Sequence, residues 1–333
     1  MIPLFSIVIP TFNSEKYIST ALESLLRQNF KDFEVLITDD GSTDSTYCIL
    51  SEFAKKHKRF HIYQQKNQGP LIARRNSLAH ATGQYVLFLD ADDFLHDDAL
   101  LEIASAIKQS MVDIISFPFS RKSDFSVSEG MQLQSGEYRD KEYMKVKECV
   151  CLGRFNNLWG KAVRLSCIDF DADYKSFTGL MHGEDLFQLL PIIDCAKSLV
   201  QLDKPLYYYR NNDSSSTSRF RKQQLSDIVI VNQRLVEYAN KWGSTCIKAV
   251  TYGMINQYIN LLKMSELENT SYSTKVRHFK AIAITMKKER VFQYLRHLPL
   301  RPDYLFLIIA LKYNIHLLVT IIVLISEWLK KWK

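Results

Sequence analysis

No apolar run in this sequence reaches the ~18 to 20 residues that a bilayer-spanning helix needs. The longest, "LFLIIAL" and "LLVTIIVLI", lie near the C-terminus and are separated by Lys312, Asn314 and His316. The six cysteines form no Cys-x-x-Cys pair and no His/Cys set at zinc spacing, which argues against a disulfide framework or a structural zinc site and for a reduced, cytosolic compartment. The opening "MIPLFSIVIPTFN" lacks the basic leader and small-residue cleavage site of a secretory signal, so a first β-strand is expected there. There is no glycine-rich, lysine-bearing phosphate loop, no internal repeat and no low-complexity segment. Strong charge of one sign is also missing. The 43 Lys and Arg against 36 Asp and Glu leave +7 over 333 residues, dispersed except for the terminal "KKWK", and no nucleic-acid partner is expected.

What is present is a globular composition, 47% hydrophobic, of a length for one large or two ordinary domains. Runs rich in β-branched residues ("FSIVIP", "FEVLIT", "FHIYQQ", "YVLFLD", "DIISF") read as strands. Helical patterns lie between them. In "NSEKYISTALESLLRQNF", Ile18, Leu22 and Leu25 share a face; a helix follows the capping residues of "DDGSTDST", and "DDALLEIASAIKQS" forms another. Strands alternating with helices predict an α/β fold, a doubly wound and mostly parallel sheet with a Rossmann-like half over 1–115. Past Phe119 the segment "SRKSDFSVSEGMQLQSGEY" is polar and reads as a loop or hairpin, followed by a helical stretch to about Leu152. From about Arg221 the chain turns helical, with stripes at Ile228, Val231, Leu235, Tyr238 and Trp242, then Ile247, Val250, Met254, Tyr258 and Leu261, all read as core. The expected division is 1–115 and 116–220 as two halves of one domain, a helical region over 221–300, and an apolar, basic tail over 301–333.

Two acidic clusters end predicted strands: Asp39 with Asp40, and Asp90, Asp92 and Asp93. Parallel strands place both at one sheet edge, where such sheets bind ligands. Gathered carboxylates repel, and a D-x-D pair can reach one hard cation, magnesium or manganese, whose remaining positions substrate phosphates fill. A lone D-x-D is more often a solvated turn or a helix cap.

The stretches "SIVIPTFNSEKYISTALESLLRQNF", "FEVLITDDGSTDST" and "NQGPLIARRNSLAHATGQYVLFLDADD" closely resemble the family 2 glycosyltransferases of the GT-A fold, continuously over about residues 5–95. The likeness runs more loosely through "LWGKAVR", "MHGEDLFQLL" and "YYYRNNDSSSTS" and fades past about residue 220. The resemblance implies that Pro10, Thr11 and Asn13 line the base and ribose pocket of a nucleotide sugar. It implies that Asp39, with Asp40, hydrogen-bonds the base, typically uracil, and that Asn67 and either Arg74 or Arg75 approach the donor. Asp90-Ala91-Asp92 matches the metal motif, Asp92 as the direct ligand and Asp90 toward the ribose, the sugar or the metal's waters.

In the same family an E-D pair carries the general base, which assigns that role to Asp185 with Glu184 orienting the acceptor or the base. Read alone, these are first-turn acids answering a helix macrodipole. Trp159 and Lys161 of "LWGK" fall in the acceptor-side segment, where the Trp either stacks on a sugar or packs in the core. Arg210 and the serines of "NNDSSSTS" sit where relatives close over the diphosphate, or form a solvated turn. The implied activity is inverting transfer from a nucleotide sugar to a glycan or lipid-linked oligosaccharide in bacterial surface polysaccharide assembly. The alternatives are a catalytically silent glycan- or nucleotide-binding scaffold and a nucleotidyltransferase. The tail reads either as an interfacial anchor that places a cytoplasmic protein on the inner face of the plasma membrane, with Trp328 and Trp332 at headgroup depth, or as a hairpin of core helices.

Overall fold

The computed structural model describes residues 2–211, 220–293 and 300–330. Contacts divide the chain into two units, residues 1–147 with 156–211, and residues 148–155 with 212–333.

In the first unit β1 (Phe5–Thr11), α1 (Ile18–Arg27), β2 (Phe33–Asp39), α2 (Thr46–Lys56), β3 (Phe60–Gln64), α3 (Pro70–Leu78) and β4 (Tyr85–Phe88) alternate along the chain. Next come β5 (Phe94–Leu95), α4 (Ala99–Ser110), β6 (Ile114–Ser116), β7 (Phe119–Ser120), β8 (Gly136–Arg139) and α5 (Tyr143–Cys151), whose last residues belong to the second unit. β9 (Lys161–Arg164), α6 (Glu184–Cys195), β10 (Ser198–Gln201) and β11 (Tyr207–Tyr208) complete it. Eight strands form one sheet in the order β3-β2-β1-β4-β9-β6-β10-β8, and β5-β11-β7 form a small second sheet.

The parallel block expected from the sequence is β3-β2-β1-β4, all of whose pairings are parallel. Its strands are apolar on both faces because helices cover both sides, and β1 is buried at all seven positions. Beyond β4 the sheet is mixed. β9 runs antiparallel to both β4 and β6, and β8 antiparallel to β10, so the sheet is less uniformly parallel than expected. The run "KAVR" that forms β9 is only four residues long and carries no direction until its partners are known. The polar segment after Phe119 supplies β7, an antiparallel bridge from Phe119 to Glu129, and the edge strand β8.

The register sets the edge that matters. Thr11 pairs with Asp39 where β1 and β2 end, and Val8 pairs with Phe88 at the end of β4. Both acidic clusters therefore leave the sheet at its C-terminal edge, as parallel pairing requires.

The second unit is helical: α7 (Lys222–Trp242), α8 (Ser244–Leu267), α9 (Tyr272–Lys288), α10 (Pro302–Lys312) and α11 (His316–Lys330). Ile228, Val231, Leu235 and Trp242 of α7 and Val250, Met254, Tyr258 and Leu261 of α8 are buried, whereas Tyr238 is half-buried and Ile247, in the first turn of α8, is 40% exposed. Among the described residues no helix is long and apolar enough to cross a membrane.

Candidate active site

Helix α3 ties the site together. It begins at Gly69, whose φ of 89° lies in the left-handed region that favours glycine, and Pro70 follows at a position where its missing N–H costs nothing. The Asp40 carboxylate receives the Gly69 N–H at 2.8 Å, the Gln68 N–H at 2.8 Å and the Gln65 side-chain amide at 2.8 Å. Both Asp40 oxygens are thus spent on holding the loop before α3, and the residue is 3% exposed. Asp39, one residue earlier, faces the other way, as neighbours on a strand do. It accepts from the Gln64 amide at 3.2 Å and from the Ser42 N–H, and is fully buried.

The loop after β1 is braced against the loop after β2. Asn13, at φ 49°, accepts from the Thr43 N–H at 2.8 Å and gives its own N–H to the Ser42 hydroxyl at 2.9 Å. Pro10 and Thr11 are buried beneath it, and among the described residues the Thr11 hydroxyl has no hydrogen-bond partner. Gly41, at φ 76°, passes so close to the backbone at Gln65 and Asn67 that a Cβ would sit 3.1 Å from the Asn67 nitrogen. Asn67 itself is exposed.

From the middle of α3 the Arg74 guanidinium reaches three carboxylates: Asp90 at 3.0 Å, Asp185 at 2.8 Å and Glu184 at 3.6 Å. The Arg74 side chain is only 5% exposed. Burial disfavours its charge, but the three carboxylates outweigh burial and raise its pKa. Arg75 points elsewhere. It donates to the Asp169 carbonyl and lies over the Phe170 and Tyr174 rings, at 5.6 and 4.2 Å. The two adjacent arginines are therefore not interchangeable.

The three acids after β4 avoid mutual repulsion in three ways. Asp90 faces Arg74; burial still pushes its carboxyl up to about 6, with Arg74 pulling down and Asp185 and Asp92 adding to the rise. Asp93 is 2% exposed, and burial, followed by the charges of Asp90 and Asp92, pushes it up to about 8. It accepts from the Tyr207 hydroxyl at 2.7 Å and from the Arg210 N–H at 2.8 Å. Asp92 is half-buried, and among the described residues no hydrogen bond or ion pair reaches its carboxylate. Ala91, between the acids, is buried.

Sequence patterning did not single out Tyr207. Its hydroxyl also accepts the Asp90 N–H at 3.2 Å, so one side chain of β11 pins both ends of the acidic turn. The signal available was the aromatic run "YYYR", which carries no indication of the turn it meets, 117 residues earlier. Arg210 donates from Nε to the Asp92 carbonyl at 2.7 Å and lies over the Tyr17 ring at 5.0 Å and the Tyr208 ring at 5.5 Å. The serines that follow it, 214–216 and 218, lie outside the described residues. Trp159 stacks on Tyr207 and Tyr209, with ring centres 4.9 and 5.2 Å apart, and meets Phe119 edge-on. Lys161 is buried, its ammonium on the Asn157 carbonyl at 2.6 Å.

Glu184 and Asp185 begin α6 behind Gly183, which caps the helix at φ 80°. Burial and then the Asp185 charge push Glu184 up to about 8 against the pull of Arg74, so it is the member of the pair driven toward the neutral form. The Asp185 Oδ2 accepts the Leu158 N–H at 3.1 Å. Its Oδ1 is buried against Arg74 at a distance of contact but without hydrogen-bond alignment, although the side chain keeps 20% exposure.

A divalent cation would find hard oxygen donors here: the unengaged carboxylate of Asp92 and, beside it, Asp90. Among the described residues no three His, Cys, Asp or Glu side chains converge to hold a metal by protein ligands alone. One or two carboxylates completed by phosphate oxygens is the arrangement magnesium and manganese accept, so the residues fit.

The glycosyl transferase family 2 model matches residues 6–159. The putative glycosyltransferase EpsH of Bacillus subtilis is 27% identical over 273 residues, 77% of this chain and 78% of that protein. Chondroitin synthase of Escherichia coli is 46% identical over 99 residues, 30% of this chain and 14% of that protein. Among solved structures, S. aureus TarS 1-349 in complex with UDP-GlcNAc superposes with a TM-score of 0.71 at 20% identity, over 97% of this chain and 91% of that one. The acidic turn, the Arg74 junction and the α/β sheet that presents them thus lie in a known enzyme architecture: residues 6–159 match glycosyl transferase family 2, the fold is GT-A, and the relatives along the chain are glycosyltransferases.

Proposed function

We propose that this enzyme transfers a sugar from a UDP-sugar to a hydroxyl of a glycan or lipid-linked oligosaccharide acceptor, with inversion, in bacterial surface polysaccharide assembly. The observation that carries the reading is that one buried arginine joins the acidic turn after β4 to the acidic pair that opens α6. Donor chemistry and acceptor chemistry need groups a few ångströms apart, and Arg74 fixes that separation. The UDP preference draws support from the nucleotide held by TarS, and the polysaccharide setting from the name of chondroitin synthase.

On this reading Pro10, Thr11 and Asn13 flank the nucleoside, and the buried Thr11 hydroxyl, without a partner among the described residues, is the polar group it would meet. Asp39 stands at the end of β2 as the acceptor for a base N–H. Asp92, with Asp90 beside it, would hold a magnesium or manganese ion, which when bound supplies Lewis-acid neutralisation of the departing diphosphate. Arg210, fixed on the Asp92 carbonyl between two tyrosine rings, adds positive charge on the same side.

Asp185 takes the proton of the acceptor hydroxyl as that oxygen forms its bond to the anomeric carbon and the bond to the nucleoside diphosphate breaks on the opposite face. With Oδ1 turned into Arg74, Oδ2 is the oxygen left to meet the acceptor. Glu184, driven toward its neutral form, can donate a hydrogen bond where an ionised acid could only accept one. A positioned base is worth ~10²- to 10⁴-fold, so Asp185→Asn is expected to lower kcat by that order while donor affinity stays within about twofold. The test is a panel of nucleotide sugars with manganese, read by release of nucleoside diphosphate and by equilibrium binding. Parent-like turnover by Asp185→Asn removes the base assignment, and donor binding without any turnover in the parent identifies a silent relative instead.

A further inference from the structure

Helices α10 and α11 are apolar on two sides. Their inner faces are buried in the second unit, through Leu307, Ile308 and Leu311 of α10 and Val319 and Val323 of α11. A surface helix with one buried stripe ordinarily turns polar residues outward. These do not. Phe306 is 59% exposed, and α11 carries an outward stripe of Leu317, Ile321, Leu324 and Trp328 at spacings of four, three and four, with Leu317 at 62% and Trp328 at 58%. Isolated exposed apolar side chains are ordinary, but a contiguous run along two successive helices marks a surface made to be covered.

The chemistry of the surround selects the cover. At 11 and 15 residues neither helix crosses a bilayer core of ~30 Å, since 15 residues rise only ~22 Å. Aromatic and basic residues stand at the helix ends. Arg301 and Tyr304 open α10, Lys312 and Tyr313 close it, and Trp328 lies in the last turn of α11. From Arg301 onward the sequence has five Lys and Arg against two acids, Asp303 and Glu327. An apolar stripe between aromatic ends, in a segment whose sequence has a basic excess, complements an interface of acyl chains and anionic headgroups. The same basic excess would oppose itself across a symmetric contact with a second copy.

We propose that the outward face of α10 and α11 lies in the headgroup zone of an anionic bilayer, its apolar stripe toward the acyl chains and its cations toward lipid phosphates. The full chain is mixed with vesicles of phosphatidylcholine alone or with phosphatidylglycerol and sedimented. Binding is expected to the anionic vesicles, to weaken with salt, and to fall at least tenfold in Ile321→Glu/Ile325→Glu with nucleotide-sugar affinity unchanged. Met111→Glu, at a 72% exposed position of the first unit, is expected to bind vesicles like the parent. A reading that needs no altered fold is quenching by brominated lipid, which should dim the parent and spare Trp328→Phe/Trp332→Phe. Parent protein that stays in the supernatant, equal binding by the double variant, or a dimer that the double variant splits while neither form binds vesicles would each overturn the proposal.

Discussion

Replacing Arg74 by methionine keeps most of the buried stem and removes the one cation that Asp90, Glu184 and Asp185 share. Breaking a buried ion pair by deleting one partner costs ~3–5 kcal/mol, because the remaining charge stays buried without compensation. For a domain of ~150–250 residues each kcal/mol lowers Tm by ~2–4 °C, so Arg74→Met should melt about 6–20 °C below the parent. The loss has a pH dependence of defined sign. Glu184 is pushed up to about 8 from 4.5, so the fold favours its neutral form; that contribution is complete below about pH 4.5 and disappears as pH rises through about 8. Removing Arg74 takes away a group that pulls Glu184 down, so the variant should suffer less at pH 5.5 than at pH 8. Thermal unfolding at both pH values, with donor hydrolysis and transfer rates on the same samples, makes the comparison. Arg74→Lys, which retains charge but not the planar fork, should fall between. A methionine variant that melts within about 2 °C of the parent at pH 8, with unchanged kcat/KM, would show that the arginine joins nothing of consequence.

Asp92→Ala should weaken donor binding in manganese without lowering Tm, because the carboxylate it removes has no partner among the described residues; equal donor affinity with and without manganese in the parent would refute its role. Tyr207→Phe strands the Asp90 N–H and an Asp93 oxygen, and a destabilisation of ~1–3 kcal/mol in denaturant melts is expected, with a raised KM for the donor. In the second unit, burial raises the pKa of Glu289, which accepts from the Tyr258 hydroxyl and the Asn232 amide. Its contribution to stability is lost as pH rises, so Glu289→Gln, which keeps an acceptor without the charge, should gain in Tm on the parent at pH 8 and little at pH 5.

The strands at the start of the chain were legible because their β-branched runs are bounded by turn and capping residues, and the structure places all five within a residue or two of the expected stretches. The edge that carries Asp39 and Asp90 followed from parallel pairing alone. Neighbour identity was not legible. Asp39 and Asp40 are chemically alike and adjacent, yet one is turned toward Gln64 and Ser42 and the other spent on the loop before α3. Arg74 and Arg75 differ by one position on a helix, ~100° of rotation, and that angle separates three carboxylates from the Asp169 loop. The direction of β9 and the reach of Tyr207 back to Asp90 and Asp93 depend on residues distant in sequence, about which local patterning carries no information.

The sequence by itself determined the likeness to the family 2 glycosyltransferases, the alternation of strands and helices, and the acids at one sheet edge, because periodicity and motif spacing are local properties of the chain. Only the tertiary structure decided which of those acids are neutralised, which are driven toward protonation and which is left open. That outcome depends on burial and on Arg74, and both exist only once α3, α6 and the turn after β4 have been packed together.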